Sequence, residues 1–216
     1  MIALARRATL GALFAGSLLT LGGCALPFMS PPNAMTVANG AVTIVGPQGF
    51  CVDQQSSHDG PGAPFVLLGS CASMAGSPTD PKPRIQALLT ATVSVGSNGP
   101  SIGDANWRQL VAYLHSTAGR KAQSRSGDAR TVKIIGLARR DGVVILHARD
   151  TSPFPGQTVT PNYWRALFDL NGHIVTLSVN GVPQAPFPDS AGLALLETFV
   201  ASVRAASAPP APAAGS

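Results

Sequence analysis

From residue 41 onward the chain alternates short apolar runs with breaks marked by glycine, proline or polar residues, and the period of each run predicts its conformation. Residues 41–45 read as a first strand, followed by a Gly-Pro-Gln-Gly turn and a second extended piece at 50–52. Residues 54–64 are polar and glycine-rich, a loop, before the apolar run 65–68 that leads into Cys71. After a proline-rich passage at 75–83, residues 87–95 have the length and β-branched content of a buried strand.

Trp107, Leu110, Val111 and Leu114 recur at i, i+3, i+4 and i+7, which predicts a helix with one apolar stripe, capped by Asp104. The basic stretch 119–130 reads as a flexible connection ending that helix. Two hairpin signals follow. Asp141-Gly142 separates the apolar arms 132–138 and 143–148, and Asn171-Gly172 separates 163–170 from 174–179. Four consecutive antiparallel strands are expected. A two-residue turn in the second hairpin sets Phe168 opposite Val175, with Trp164, Ala166, Phe168 and Leu170 on one face and Tyr163, Arg165 and Asp169 on the other. Ser190 then caps a last helix whose Leu193, Leu196, Phe199, Val200 and Val203 form a second stripe, with Glu197 and Arg204 turned away.

Helices with a single apolar side must lie on the sheet, so the class is α+β: an antiparallel sheet with amphipathic helices packed on it. The order of elements over 41–204, and above all the closing unit of strand, Asn-Gly turn, strand, proline-rich loop and amphipathic helix at 163–204, resembles the PsbP-like α/β/α sandwich family. GFCVD followed by FVLLGSC is similar to small alphaproteobacterial envelope lipoproteins of unknown function. Both resemblances imply a binding or assembly module and no particular catalytic residues.

The N-terminus changes the picture of where such a domain works. Arg6-Arg7, an apolar stretch over 8–21 and small residues have the order of a secretory signal. The segment is too short and glycine-rich for a comfortable membrane span. Leu21-Gly22-Gly23-Cys24 resembles the lipobox of bacterial lipoproteins, in which Cys24 receives a diacylglycerol and becomes the first mature residue. Two or three acyl chains on one cysteine give durable attachment where a single chain does not. Ala25, in place of aspartate, is what the proteobacterial sorting rule associates with the outer membrane rather than the inner. The expected organisation is a cleaved signal at 1–23, Cys24 and a flexible tether of about 20 Å at 24–40, one domain at 41–206 and a disordered tail at 207–216.

Composition enters at this point. Of 216 residues 45% are hydrophobic and 12% charged, enough for one core; collagen, coiled coil and multi-pass membrane protein are excluded. The formal charge of +5 falls to +3 once Arg6 and Arg7 leave with the signal, a balance that does not imply nucleic acid. Removing Cys24 from the three cysteines leaves Cys51 and Cys71, an even pair in a compartment that permits disulfides. The competing reading, two free thiols or half a metal site, has no further cysteine or close histidine cluster beside it.

No G-x-S-x-G elbow, H-E-x-x-H helix, P-loop or dinucleotide fingerprint is present, and no cofactor is implied. Three readings of function stand beside one another. A non-catalytic contact module leads, in which Arg120, Lys121, Arg125 and Arg130, with Arg139 and Arg140, form a cationic patch for an anionic envelope component or an envelope protein. A small-ligand carrier would use a groove near Trp107, Tyr163 and Trp164. An envelope hydrolase would use His58, Asp59 or His147 as acid or base, and a metal would need His147, His173 and Asp169 to converge.

Overall fold

The computed structural model describes residues 30–95, 102, 106–153 and 158–208. The expected signal at 1–23, the lipidated Cys24, the Asp104 cap and residues 209–216 of the expected tail lie outside them. The strands are β1 (Ala34–Val37), β2 (Val42–Val45), β3 (Phe50–Val52), β4 (Phe65–Ser70), β5 (Ala87–Val93), β6 (Val132–Arg140), β7 (Val143–Asp150), β8 (Asn162–Leu170) and β9 (His173–Gly181). The helices are α1 (Cys71–Ala75), α2 (Trp107–His115), α3 (Thr117–Gln123) and α4 (Asp189–Ala206). Strands β3 to β9 make one antiparallel sheet in the order β3-β4-β5-β9-β8-β7-β6, and β1 pairs with β2 in a separate hairpin. The fold is α+β.

The expected hairpins form with the expected register. Phe168 stands opposite Val175, and Asp141 and Asn171 take positive φ (49° and 50°) beside Gly142 and Gly172, the geometry that two-residue turns require. Alternation then sorts the strands by face. Ala87, Leu89, Ala91, Val143, Ile145, Ala166, Phe168, Val175, Leu177 and Val179 face α4, whose Leu196, Phe199, Val200 and Val203 are buried against them. Val37, Val42 and Ile44 of the small hairpin and Phe50, Val66 and Leu68 of the leading strands complete that core. Each fully buried side chain of this size contributes about 1.5–3 kcal/mol. On the opposite face Leu114, with Trp107 and Leu110 beside it, packs with Val144, Leu167 and Ile174. The two long helical stripes therefore cover opposite sides of one sheet.

Four expectations change. The stretch read as tether contains β1, and anchoring begins earlier still, since Gly46 N–H donates to Asn33 O (2.8 Å) and Val52 N–H to Pro32 O (2.7 Å). Apolar Ala34, Met35 and Val37 sit on a strand too short to show a period, so its pairing with β2 was hidden. Ser207, read as the start of the tail, is buried and accepts from Thr43 N–H at 2.9 Å. The connection read as flexible contains α3, set on α2 by Ser116, whose hydroxyl accepts from Gly119 N–H (3.0 Å) and donates to Tyr113 O (2.6 Å). Gly119 is required there, because a Cβ would lie 1.9 Å from the Tyr113 carbonyl oxygen. Finally α4 starts at Asp189, with Pro188 as its N-cap and Ser190 inside it.

Cys51 and Cys71 are bonded, joining the short edge strand β3 to the start of α1 across 20 positions of sequence (Cα–Cα 4.9 Å). A loop of that length makes the bridge worth about 3 kcal/mol in the chain-entropy treatment. The double variant Cys51→Ala, Cys71→Ala should unfold at lower urea by that amount, and reductant should lower the midpoint of the native protein but not of the variant. Coincident unfolding curves would show that β3 holds its place without the bridge.

Candidate functional site

The expected cationic patch loses Arg125 and keeps Lys121 and Arg130 exposed. Arg125 turns inward at the end of α3, where its guanidinium donates to Asp150 O (3.4 Å), Ser152 O (3.3 Å), Thr160 O (3.4 Å) and Asn180 Oδ1 (3.4 Å). Arg130 pairs with Asp128 at 2.7 Å, and those hydrogen bonds bring the Asp128 carboxyl down to about 2. Arg120 caps the end of α2 by donating to His115 O. Lys121 is exposed, and Arg140 pairs with Glu197 at 3.2 Å. Arg204, expected to point away, lies over the Phe168 ring (5.0 Å) and donates to Asp141 O (3.1 Å).

What Arg125 joins is a polar cluster beneath α3 that the sequence did not single out. The Asp150 carboxylate is fully buried and accepts from Arg125 N–H (2.8 Å), Ser152 N–H (2.9 Å) and Ser152 Oγ–H (2.7 Å). Burial works against its charge, but these donors outweigh it and hold its pKa below the usual carboxylate value. Two guanidiniums lie over the Tyr163 ring, Arg125 at 5.6 Å and Arg165 at 5.0 Å from its centroid, and burial pushes its phenol up. Burial likewise lowers Arg125, against the opposing pull of Asp150. Arg165 donates to Ser178 Oγ (2.9 Å) and to Gln123 Oε1. The one sequence signal for this cluster was Asp150-Thr151-Ser152, an aspartate positioned to accept from the backbone two residues on. Its donors all serve to close α3 and the 150–152 turn onto the sheet.

The expected aromatic groove is also divided. Trp107 and Tyr163 lie on the α2–α3 face, whereas Trp164 faces α4. There the His147 imidazole stacks on Trp164 (4.1 Å, 8°), and its Nε2 stands 3.6 Å from Asp189 Oδ1 in the first turn of α4. Gly192 is pressed on the same indole, since a Cβ there would lie 2.8 Å from Trp164 Cδ1. The cleft beside this stack, between Arg149, Asn162, Trp164 and Phe187, holds about 190 Å³, less than sites that enclose small ligands usually offer. His173 instead meets Ser94 O (3.0 Å), Asp169 accepts from Ile102 N–H (2.8 Å), and no three metal-ligating side chains converge among the described residues. His58 is bridged to Phe65 and stacks on it, and Asp59 accepts from Ala38 N–H (3.1 Å).

Larger clefts run along the two flanks of α4. One, of about 360 Å³, has a floor of Val143, Ile145, Ala166, Leu196 and Val200 under the Arg140–Glu197 pair. The other, of about 370 Å³, lies between α4 and the 82–85 segment: Phe50, Ile85 and Leu195 form its floor, and Lys82 and Arg84 stand at its rim. These two cations escaped sequence reading, although Pro81-Lys82-Pro83-Arg84 carried the signal, because prolines bar a helix there and leave the intervening cations on an extended, exposed segment.

No family model matches the chain, and no curated protein sequence matches it. Among solved structures it is similar to the solution structure of cyanobacterial PsbP (CyanoP) from Synechocystis sp. PCC 6803, at 12% identity over 84% of this chain and 96% of that one, with a TM-score of 0.41.

Because the folded pKa of Asp150 is depressed, its stabilisation is complete above the unfolded aspartate value of about 4 and is lost as pH falls through the folded value. Asp150→Ala strands three donors and should cost about 3 kcal/mol at neutral pH. The gap between native protein and variant in urea unfolding should narrow as the pH is taken below about 4. A gap independent of pH would mean that the carboxylate's charge contributes nothing.

Proposed function

We propose that the protein is a lipid-anchored envelope domain, facing the periplasm from the outer membrane, that acts by contact and not by catalysis. The observation that carries this reading is the run from Arg6-Arg7 through the apolar stretch to Leu21-Gly22-Gly23-Cys24. The Cys51–Cys71 bridge supports it, since such bonds persist in oxidising compartments. Among the described residues no helix is long and apolar enough to cross a membrane. The non-catalytic part draws support from how the candidate acids and bases are used. His58 is bridged to Phe65, Asp59 accepts from the β1–β2 hairpin, and His147 is buried in a stack on Trp164.

A second reading, carriage of a small amphiphile, is favoured by one observation, the pair of apolar-floored clefts beside α4. They distinguish themselves from the cleft at Trp164 by size.

Intact mass of the protein extracted from envelopes should show loss of residues 1–23 and an acyl-glyceryl increment. Cys24→Ala should move it from the membrane to the soluble fraction with its fold intact. An unprocessed mass, or a Cys24→Ala variant that stays with the membrane, would overturn the anchor.

A further inference from the structure

The described chain starts near a feature that gives it an orientation. Ser30 Oγ donates to Asp80 Oδ1 (3.0 Å), and Pro32 and Asn33 are bound to Val52 and Gly46, so the chain is fixed to the domain from about residue 30. Six residue steps separate Ser30 from Cys24, a reach of at most about 20 Å when fully extended. Six steps thus replace the sixteen-residue tether that the sequence pattern implied, once β1 and its lead-in are taken out of it. An anchor at Cys24 therefore holds the Ser30 end of the domain close to the headgroups.

The 82–85 cleft stands beside that end. Ser30, Pro47, Gln48, Gly49, Phe50 and Asp80 line one hollow, and Pro47, Gln48 and Phe50 also line the cleft that carries Lys82 and Arg84. The backbone at 82–83 packs closely on Gly49: a Cβ on Gly49 would lie 2.4 Å from Pro83 N and 2.5 Å from the Lys82 carbonyl carbon. Both cations are exposed, and neither makes an ion pair with a described residue. No carboxylate lines their cleft, Asp80 being the nearest acidic neighbour in sequence and already holding Ser30. The opposite flank of α4 differs, because its arginines face Glu197 and Asp141.

We propose that this cleft is the face the protein lays on its own membrane, with Lys82 and Arg84 against the phosphates of anionic phospholipids and the half-buried Ile85 and Leu195 of its floor against their acyl region. The proposal rests on the anchor reading above. Two observations choose a lipid surface as occupant: the short reach from Cys24, and two exposed cations, with no carboxylate lining their cleft, over an apolar floor.

The chain's lysines are Lys82, Lys121 and Lys133, and all three are exposed, so amine acylation followed by mass spectrometry reports orientation directly. Protein from envelopes is weighed first and then placed in vesicles of phosphatidylcholine, with or without phosphatidylglycerol. If Cys24 carries no lipid, the anchor reading fails on the mass alone. The cleft is then tested on the same vesicles with the Cys24 thiol coupled to a maleimide phospholipid.

Lys82 should react about fivefold more slowly on the anionic vesicles, the factor expected for one cation at such a surface. Lys121 and Lys133 should keep their rates, high salt should release Lys82, and Arg84→Gln should restore much of its reactivity. Equal rates at the three lysines, protection of Lys121 or Lys133 instead, or the same protection of Lys82 on both vesicle types would overturn the proposal. Protection of Lys82 in whole envelopes but not on protein-free anionic vesicles would assign the cleft to a protein partner and overturn it as well.

Discussion

Strands β7, β8 and β9 carry apolar side chains on both faces, so this sheet has to be covered twice. Val143, Ile145, Phe168 and Leu177 point to one side, and Val144, Leu146, Leu167 and Ile174 to the other. One long helix, α4, spans the first side together with the β1–β2 hairpin, while α2 and α3 cover the second. The connections must therefore cross from face to face around the sheet, which leaves backbone polar groups to be satisfied wherever a covering element ends.

Those ends are where the polar side chains are concentrated. Asn171, at the tip of the β8–β9 hairpin, donates to Ala41 O (2.8 Å) and Ser207 O (2.9 Å), so one amide ties the sheet to the small hairpin and to the end of α4. Ser207 closes the same corner through Thr43. Diagonally opposite, Asp150 and Arg125 satisfy the groups exposed where α3 meets the strand ends. A buried carboxylate costs several kcal/mol to desolvate and is tolerable only when its lone pairs are occupied, as they are here. The arginine that composition offered as a surface contact is thus used inside the fold.

A consequence for function is that two exposed cations and two apolar-floored clefts lie beside α4, away from the groups that resemble catalytic residues. His147 and Asp189 are close enough to form a pair, yet the imidazole is stacked on Trp164 and sealed by the first turn of the helix. The end of the domain nearest the N-terminus is also the end that the disulfide stiffens, since Cys51 and Cys71 line the same hollow as Ser30 and Asp80.

The sequence by itself determined the local elements whose cause is local. Asp-Gly and Asn-Gly require positive φ and made two hairpins, strict alternation set Phe168 against Val175, and an apolar stripe at helical spacing made α4. It also contained the Cys51–Cys71 pairing, because two cysteines remain once Cys24 is set aside. Strand β1 and helix α3 were hidden because neither is long enough to show a period; the first exists through pairing with β2, and the second through a serine cap and one close approach at Gly119. Alternation had already put Tyr163 and Trp164 on opposite faces of β8, but which helix covered each face was decided only in three dimensions, and it set Trp107 on the side of Tyr163. The fate of the charges was decided there too, since a guanidinium in sequence looks the same whether it meets water or four acceptors. Arg125 went inward because Asp150, Thr160 and Asn180, far apart in the chain, converge at one end of the sheet, and Lys82 and Arg84 stayed outside because no carboxylate reaches their cleft.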